Sequence, residues 1–248
     1  MITMRCDVLT LFPRMISSVL DESILKRARD KGLLNVRVID IRDFTANKHR
    51  TADDSPYGSG AGMVLKAEPI VKAVDVIREE EKELRIILLS PQGRRYDQTI
   101  AHELSREERR IVFLCGHYEG IDERVKILLS PEEISIGDYV LTGGELAALV
   151  VIDSAVRLIP GVVGDSASVE EESFNSILDY PHYTRPSEFR GMQVPPVLVS
   201  GDHENIRRWR RKQALLNTVR KRPDLLSGAI LTEEDRELLE EIKEEESL

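Results

Sequence analysis

Five short runs of aliphatic and β-branched residues alternate with helix-patterned segments through the first 160 residues, and this alternation most constrains what the chain can fold into. The runs are Arg5 to Leu11, Leu34 to Asp40, Leu84 to Leu89, Arg110 to Leu114 and Glu133 to Ile136. Helices are expected between them, over Pro13 to Lys31, Glu68 to Glu81, Tyr96 to Ser105 and Asp122 to Leu129. Strands joined by helical crossovers run the same way, so the pattern predicts an α/β domain with a mainly parallel sheet. Glu145 to Leu158 is apolar nearly all round, which predicts a helix buried on most faces, with Asp153 and Arg157 one turn apart on it.

Beyond Pro160 the periodicity lapses. The stretch to Pro186 holds glycines, serines, an EEE run and YPHYTRP, and reads as a linker. Gly201 to Arg222 and Thr232 to Lys243 read as helices of a smaller unit. The expected organisation is a domain over 1–160, a linker over 161–176 and a mostly helical C-terminal domain over 177–248.

Net charge matters here because it misleads. The whole chain carries −9, which argues against a polyanionic partner. Ser200 to Arg222, however, holds eight basic against two acidic residues, net +6, while Pro223 to Leu248 holds two basic against ten acidic, net −8. The local sign decides what a surface attracts, so a nucleic-acid partner stays open. No run approaches the ~18 apolar residues of a membrane span, and the start of the sequence lacks a signal-peptide pattern, so a cytoplasmic location is expected. Cys6 and Cys115 are too few for a CxxC zinc site or a disulfide framework and read as reduced core residues.

Parallel sheets bind ligands beyond the carboxyl ends of their strands, so the segments following the runs carry the functional signal. Ser90-Pro91-Gln92-Gly93 follows the third run, Cys115-Gly116-His117-Tyr118-Glu119-Gly120 the fourth, and Gly137 to Glu145 (GDYVLTGGE) the fifth. Each reads as a turn in which bare main-chain groups can approach a ligand. Together they form a candidate pocket for an adenine edge and a ribose, with Glu119 available to a hydroxyl or a cation. No G-x-G-x-x-G opens a helix after a strand and no P-loop occurs, which excludes the ordinary nucleotide-binding fingerprints.

NKHRTADDSPYGSGAGM, SPQG, CGHYEGID, ISIGDYVLTGGELA, AVRLIPG, ESF, YPHYTRP and SGDHENIRRWR, in this order, resemble the TrmD family of bacterial tRNA (guanine-N1)-methyltransferases of the SPOUT class. Spacing alone leads to an unknotted sheet. The resemblance instead implies a deep trefoil knot built from the segments around Ser90, Gly116 and Ile136. It implies S-adenosyl-L-methionine as methyl donor, held by Leu89, Ser90, Pro91, Gly116, Tyr118, Glu119, Gly120, Ser135, Ile136, Gly137, Tyr139, Leu141, Gly143 and Gly144. Glu172 falls at the position of the general base and Arg157 at that of the residue that stabilises the oxyanion at O6 of the guanine. His49, Arg50, Asp53, Asp54, Tyr57, Gly62, His117, Arg207, Arg208 and Arg211 fall at positions expected to meet tRNA. A homodimer with active sites at the subunit interface, and Mg2+, are likewise implied only by the resemblance.

Three positions depart from the family pattern: Glu172 stands where many members carry Asp, Ser59 where many carry Gly, and His117 where Arg is common. Two other readings stay open on sequence alone. One is a non-catalytic RNA-binding protein; the other is a knotted methyltransferase acting on a ribose 2′-hydroxyl.

Overall fold

The computed structural model describes residues 3–164, 173, 174 and 176–246. The chain divides into two compact units, residues 1–166 and 167–248. In the first, the strands are β1 (Met4–Thr10), β2 (Leu34–Asp40), β3 (Asp53–Asp54), β4 (Val64–Leu65), β5 (Leu84–Arg95), β6 (Arg110–Cys115) and β7 (Glu132–Ser135). The helices are α1 (Pro13–Leu20), α2 (Ser23–Asp30), α3 (Ala67–Glu80), α4 (Gln98–Ser105), α5 (Glu123–Leu129) and α6 (Glu145–Val156). Five strands form one parallel sheet in the order β2-β1-β6-β5-β7; β3 and β4 make a separate antiparallel pair.

Period-two alternation sorts the strand residues between two cores. Cys6, Val8, Ile87, Leu89, Ile111 and Phe113 face one way, onto α1, α2, α4 and α6. Ile86, Leu88, Val112 and Leu114 face the other, onto α3 and α5. A sheet buried on both faces is why these strands read as nearly continuous apolar runs. Each fully buried side chain of Phe113 type contributes about 1.5–3 kcal/mol of transfer free energy. Cys6 and Cys115 are free thiols in this core.

The structure corrects two expectations. The helix expected over Pro13 to Lys31 is two, because the chain turns at Asp21 and Glu22 and Ser23 takes a left-handed φ of 49°, which breaks the hydrogen-bond ladder. The third run does not end at Leu89. β5 runs on to Arg95, with Ser90 to Gly93 as an excursion: both Leu89 and Arg94 pair with Ile134. α6 is buried on most faces, as expected, with Leu146 and Val150 about half exposed.

Among its described residues the second unit carries a short antiparallel pair, β8 (Glu188–Phe189) and β9 (Met192–Gln193), and the helices α7 (His203–Lys221) and α8 (Glu233–Glu246). Ala214 and Leu215 of α7 pack on Leu238 and Ile242 of α8, with Ile177 beside them. Asp202 caps α7 by accepting from the Asn205 amide at 3.1 Å.

Candidate active site

Three segments at the carboxyl edge of the sheet enclose a cavity of about 420 Å³. The Ser90 to Gly93 excursion supplies one wall, Gly116 to Ile121 after β6 a second, and Ile136 to Gly144 after β7 the third. The volume lies within the range of small-ligand sites. All fourteen positions named above for the methyl donor line it, from Leu89 to Gly144. So do Gln92, Val140 and Thr142, to which the sequence reading gave no role.

Main-chain contacts hold the walls together. Gly144 N donates to Gly116 O at 2.8 Å, and His117 and Gly143 form an isolated antiparallel bridge. The glycines are needed where backbones touch. A Cβ on Gly144 would lie 2.8 Å from Cys115 Cα, and one on Gly93 would lie 2.4 Å from both the Glu133 carbonyl carbon and the Ile134 nitrogen. Ser135 Oγ donates to Gly137 O at 3.1 Å, and Tyr139 OH donates to Ile136 O at 3.3 Å, which stiffens the third wall from within.

A fourth segment borders the second wall. Glu119 N donates to Met63 O at 3.1 Å, Leu65 N to Gly120 O at 3.0 Å and Asp122 N to Leu65 O at 2.9 Å. These bonds lock the β3–β4 pair and its connecting loop onto the Tyr118 to Asp122 segment. Gly62, at φ +87°, fits only because it lacks a side chain: a Cβ would sit 2.5 Å from Glu119 Oε1. The loop that carries Gly62 therefore abuts Glu119, a lining residue of the pocket.

Of the residues expected to meet tRNA, His49, Arg50, Asp54 and Tyr57 are exposed around this fourth segment. Arg50 pairs with Asp43, and Asp54 with Lys66 at 3.2 Å, a contact that holds the Asp54 carboxyl below its usual range. Asp53 is partly buried and pairs with Leu65. His117 lies in the pocket wall, its ring between Phe12 at 4.6 Å and Tyr118 at 4.7 Å.

Arg207, Arg208 and Arg211 lie on α7, where α8 already engages them. Arg207 bonds Glu234 at 2.9 Å, Arg208 bonds Glu241 at 2.5 Å, and Arg211 grips the buried Asp235 through two bonds of 2.6 and 2.9 Å. Lys212 bridges Glu241 and Glu245. The acidic segment thus covers one side of the basic helix. Trp209 is half-buried, beside a groove formed with Pro196, Val197 and Asn205.

Arg157 is the C-terminal cap residue of α6 and does not line the pocket. Glu145, at the other end of α6, sits beneath the pocket wall; twelve residues of helix put the two ends about 18 Å apart. Glu172 lies outside the described residues. Among the described residues no three His, Cys, Asp or Glu side chains converge as a metal site, and no helix is long and apolar enough to cross a membrane.

Sequence reasoning missed Glu145. Its carboxylate is 1% exposed and accepts a hydrogen bond from Thr10 Oγ1 at 2.6 Å. The available signal was an acid opening a largely apolar helix directly after Gly143-Gly144. Burial, together with the Glu145 charge, pushes the Cys115 thiol well up, which removes it as a nucleophile.

A parallel sheet with a glycine-bearing pocket beyond its strand ends defines an α/β protein of the class whose ligand sites lie at the carboxyl edge of the sheet. The chain belongs to the TrmD family: the family model described as "tRNA (Guanine-1)-methyltransferase TrmD" matches residues 4–228. It is 57% identical to a protein of Dictyoglomus turgidum over 98% of this chain and 98% of the relative. It is 56% identical to one of Carboxydothermus hydrogenoformans over 95% and 92%, and 55% identical to one of Geobacillus kaustophilus over 98% and 99%. All three are named tRNA (guanine-N(1)-)-methyltransferase.

Proposed function

We propose that this protein transfers a methyl group from S-adenosyl-L-methionine to N1 of the guanosine immediately 3′ of the tRNA anticodon, position 37. The observation that carries the reading is the joining of three sequence-distant, glycine-bearing segments into one pocket of about 420 Å³. The absence of side chains at Gly116, Gly137, Gly143 and Gly144 lets an adenine edge and a ribose approach the walls closely.

The donor supplies an activated methyl on a sulfonium. The chain's own residues must remove the N1 proton and stabilise charge on O6. Glu172 takes the proton as N1 attacks the methyl carbon and the carbon–sulfur pair stays on sulfur; Arg157 faces O6. Arg157 stands about 15 Å along α6 from Ala147, which lines the pocket, beyond the reach of its own side chain. A homodimer resolves this by bringing Arg157 and Glu172 of a second copy to the pocket. The half-exposed Leu146 and Val150 of α6, beside Met15 and Val19 of α1, supply an apolar face for that contact.

The same reading assigns a trefoil knot to the sheet. What supports it is the double pairing of Ile134 with Leu89 and Arg94, and the passage of Gly93 directly over the Glu133–Ile134 backbone. It assigns tRNA contact to a helical C-terminal domain over 177–248, joined through 161–176 to a donor domain over 1–160, in a cytoplasmic enzyme.

The test uses methyl-labelled donor and two tRNA transcripts that differ only in guanosine or adenosine at position 37. 1-Methylguanosine from the first transcript alone is the expected result, and Glu172→Gln should lower the rate at least a hundredfold. A 2′-O-methylated ribose would overturn the regiochemistry, and donor binding without any transfer would overturn the enzyme assignment. Adding a chelator to the same assay decides the magnesium requirement.

A further inference from the structure

Two buried polar atoms face each other beside the pocket, and among the described residues neither has a hydrogen-bond partner: Glu145 Oε2 and His117 Nδ1, 3.8 Å apart. Leaving such a pair unmade is costly, most of all for a carboxylate. Movement of roughly 1 Å would bring them to hydrogen-bond distance. The other carboxylate oxygen is already fixed by Thr10 at the end of β1. Nothing stands between the two atoms because residue 143 is glycine: a Cβ there would lie 2.3 Å from Oε2 and 2.4 Å from Nδ1.

We propose that Glu145 is a positioning residue for the transfer reaction. It draws a proton-bearing Nδ1 of His117 into a hydrogen bond, fixes the ring against Phe12, and so sets the Gly116 to Gly120 wall that receives the methyl donor. Nδ1 is then occupied, and Nε2 is the ring nitrogen left to a ligand. The latch ties three segments far apart in sequence: the end of β1 at Thr10, the loop after β6 at His117 and the start of α6 at Glu145. The gap at Gly143 is the structural condition for it. This inference rests on the donor reading of the pocket.

Two measurements test it on the full chain. Nitrogen-15 NMR of the His117 ring reads the tautomer directly: Nδ1 carries a proton in the wild type, and Glu145→Gln, whose amide can donate where the carboxylate accepted, moves that proton to Nε2. Calorimetric titration with S-adenosyl-L-methionine then gives a double-mutant cycle. Glu145→Gln and His117→Leu each raise the donor Kd about tenfold, the double variant raises it no further, and His117→Asn, which keeps a donor near the Nδ1 position, stays within about threefold of wild type. Additive losses, an Nε2 proton in the wild type, or equal losses for His117→Leu and His117→Asn overturn the positioning role. A wild type that does not bind the donor refutes the donor reading itself, whereas a wild type that binds but shows no coupling refutes only this inference.

Discussion

Gly93→Ala isolates the feature on which the pocket most depends, the crossing of the Ser90 to Gly93 excursion over β7. The new methyl carbon would meet the Glu133 carbonyl carbon and the Ile134 nitrogen at 2.4 Å and the Glu133 oxygen at 2.5 Å. Ordinary contact begins near 3.4 Å, so the two backbones must separate by about 1 Å. No rotamer change relieves this, because every atom met belongs to main chain. The bond from Tyr96 N to Ser135 O, 2.7 Å long, lies just past the crossing and stretches beyond hydrogen-bond range, together with the pairing of Arg94 and Arg95 to β7.

Overpacking of about 1–3 kcal/mol plus one or two lost bonds of ~1 kcal/mol each comes to roughly 3 kcal/mol. For a protein of this size that lowers Tm by about 6–12 °C in a calorimetric scan. Donor binding should fall with it, since Ser90, Pro91 and Gln92 form one wall. A Gly93→Ala protein with wild-type Tm and wild-type donor affinity would refute the crossing geometry.

Four further outcomes follow from the side-chain arrangement. The Asp235 carboxyl, held down to about 2 chiefly by its paired bonds to Arg211, is depressed in the folded state. Its contribution is present above the ordinary carboxylate pKa and lost as pH falls through about 2; allowing for the partly exposed guanidinium, Asp235→Asn should cost about 1–2 kcal/mol near neutral pH by urea unfolding. Glu241→Gln frees Arg208 from its carboxylate partner on α8, leaves Lys212 held by Glu245 alone, and should tighten tRNA binding roughly threefold at low salt, an effect that fades as salt rises in a filter-binding series. Native protein at pH 8 should resist iodoacetamide at both cysteines, because burial pushes both thiols up, and mass spectrometry should find them labelled only after unfolding. Leu146→Glu, on the half-exposed face of α6, should shift the sedimentation profile from dimer to monomer and abolish methyl transfer while leaving Tm within a few degrees.

The local sequence by itself determined the architecture of the first unit: nearly continuous apolar runs such as Ile111 to Leu114 are satisfied by strands buried on both faces, and helical segments between them favour parallel pairing. It determined the pocket in outline too, since glycine-bearing segments after three strands meet at one edge. Family-specific motifs then named fourteen lining positions that residue chemistry would have left as turns. What only the tertiary structure decided concerns pairs remote along the chain. The contact of Gly93 with Glu133, of Gly62 with Glu119 and of Glu145 with His117 each depends on how closely two backbones approach, and neither a period nor a propensity encodes that distance. The same holds for charge. The sequence placed a basic segment beside an acidic one, but which arginines the acidic helix engages followed from the packing of Ala214 and Leu215 on Leu238 and Ile242, which brings Arg211 onto Asp235 and Arg208 onto Glu241.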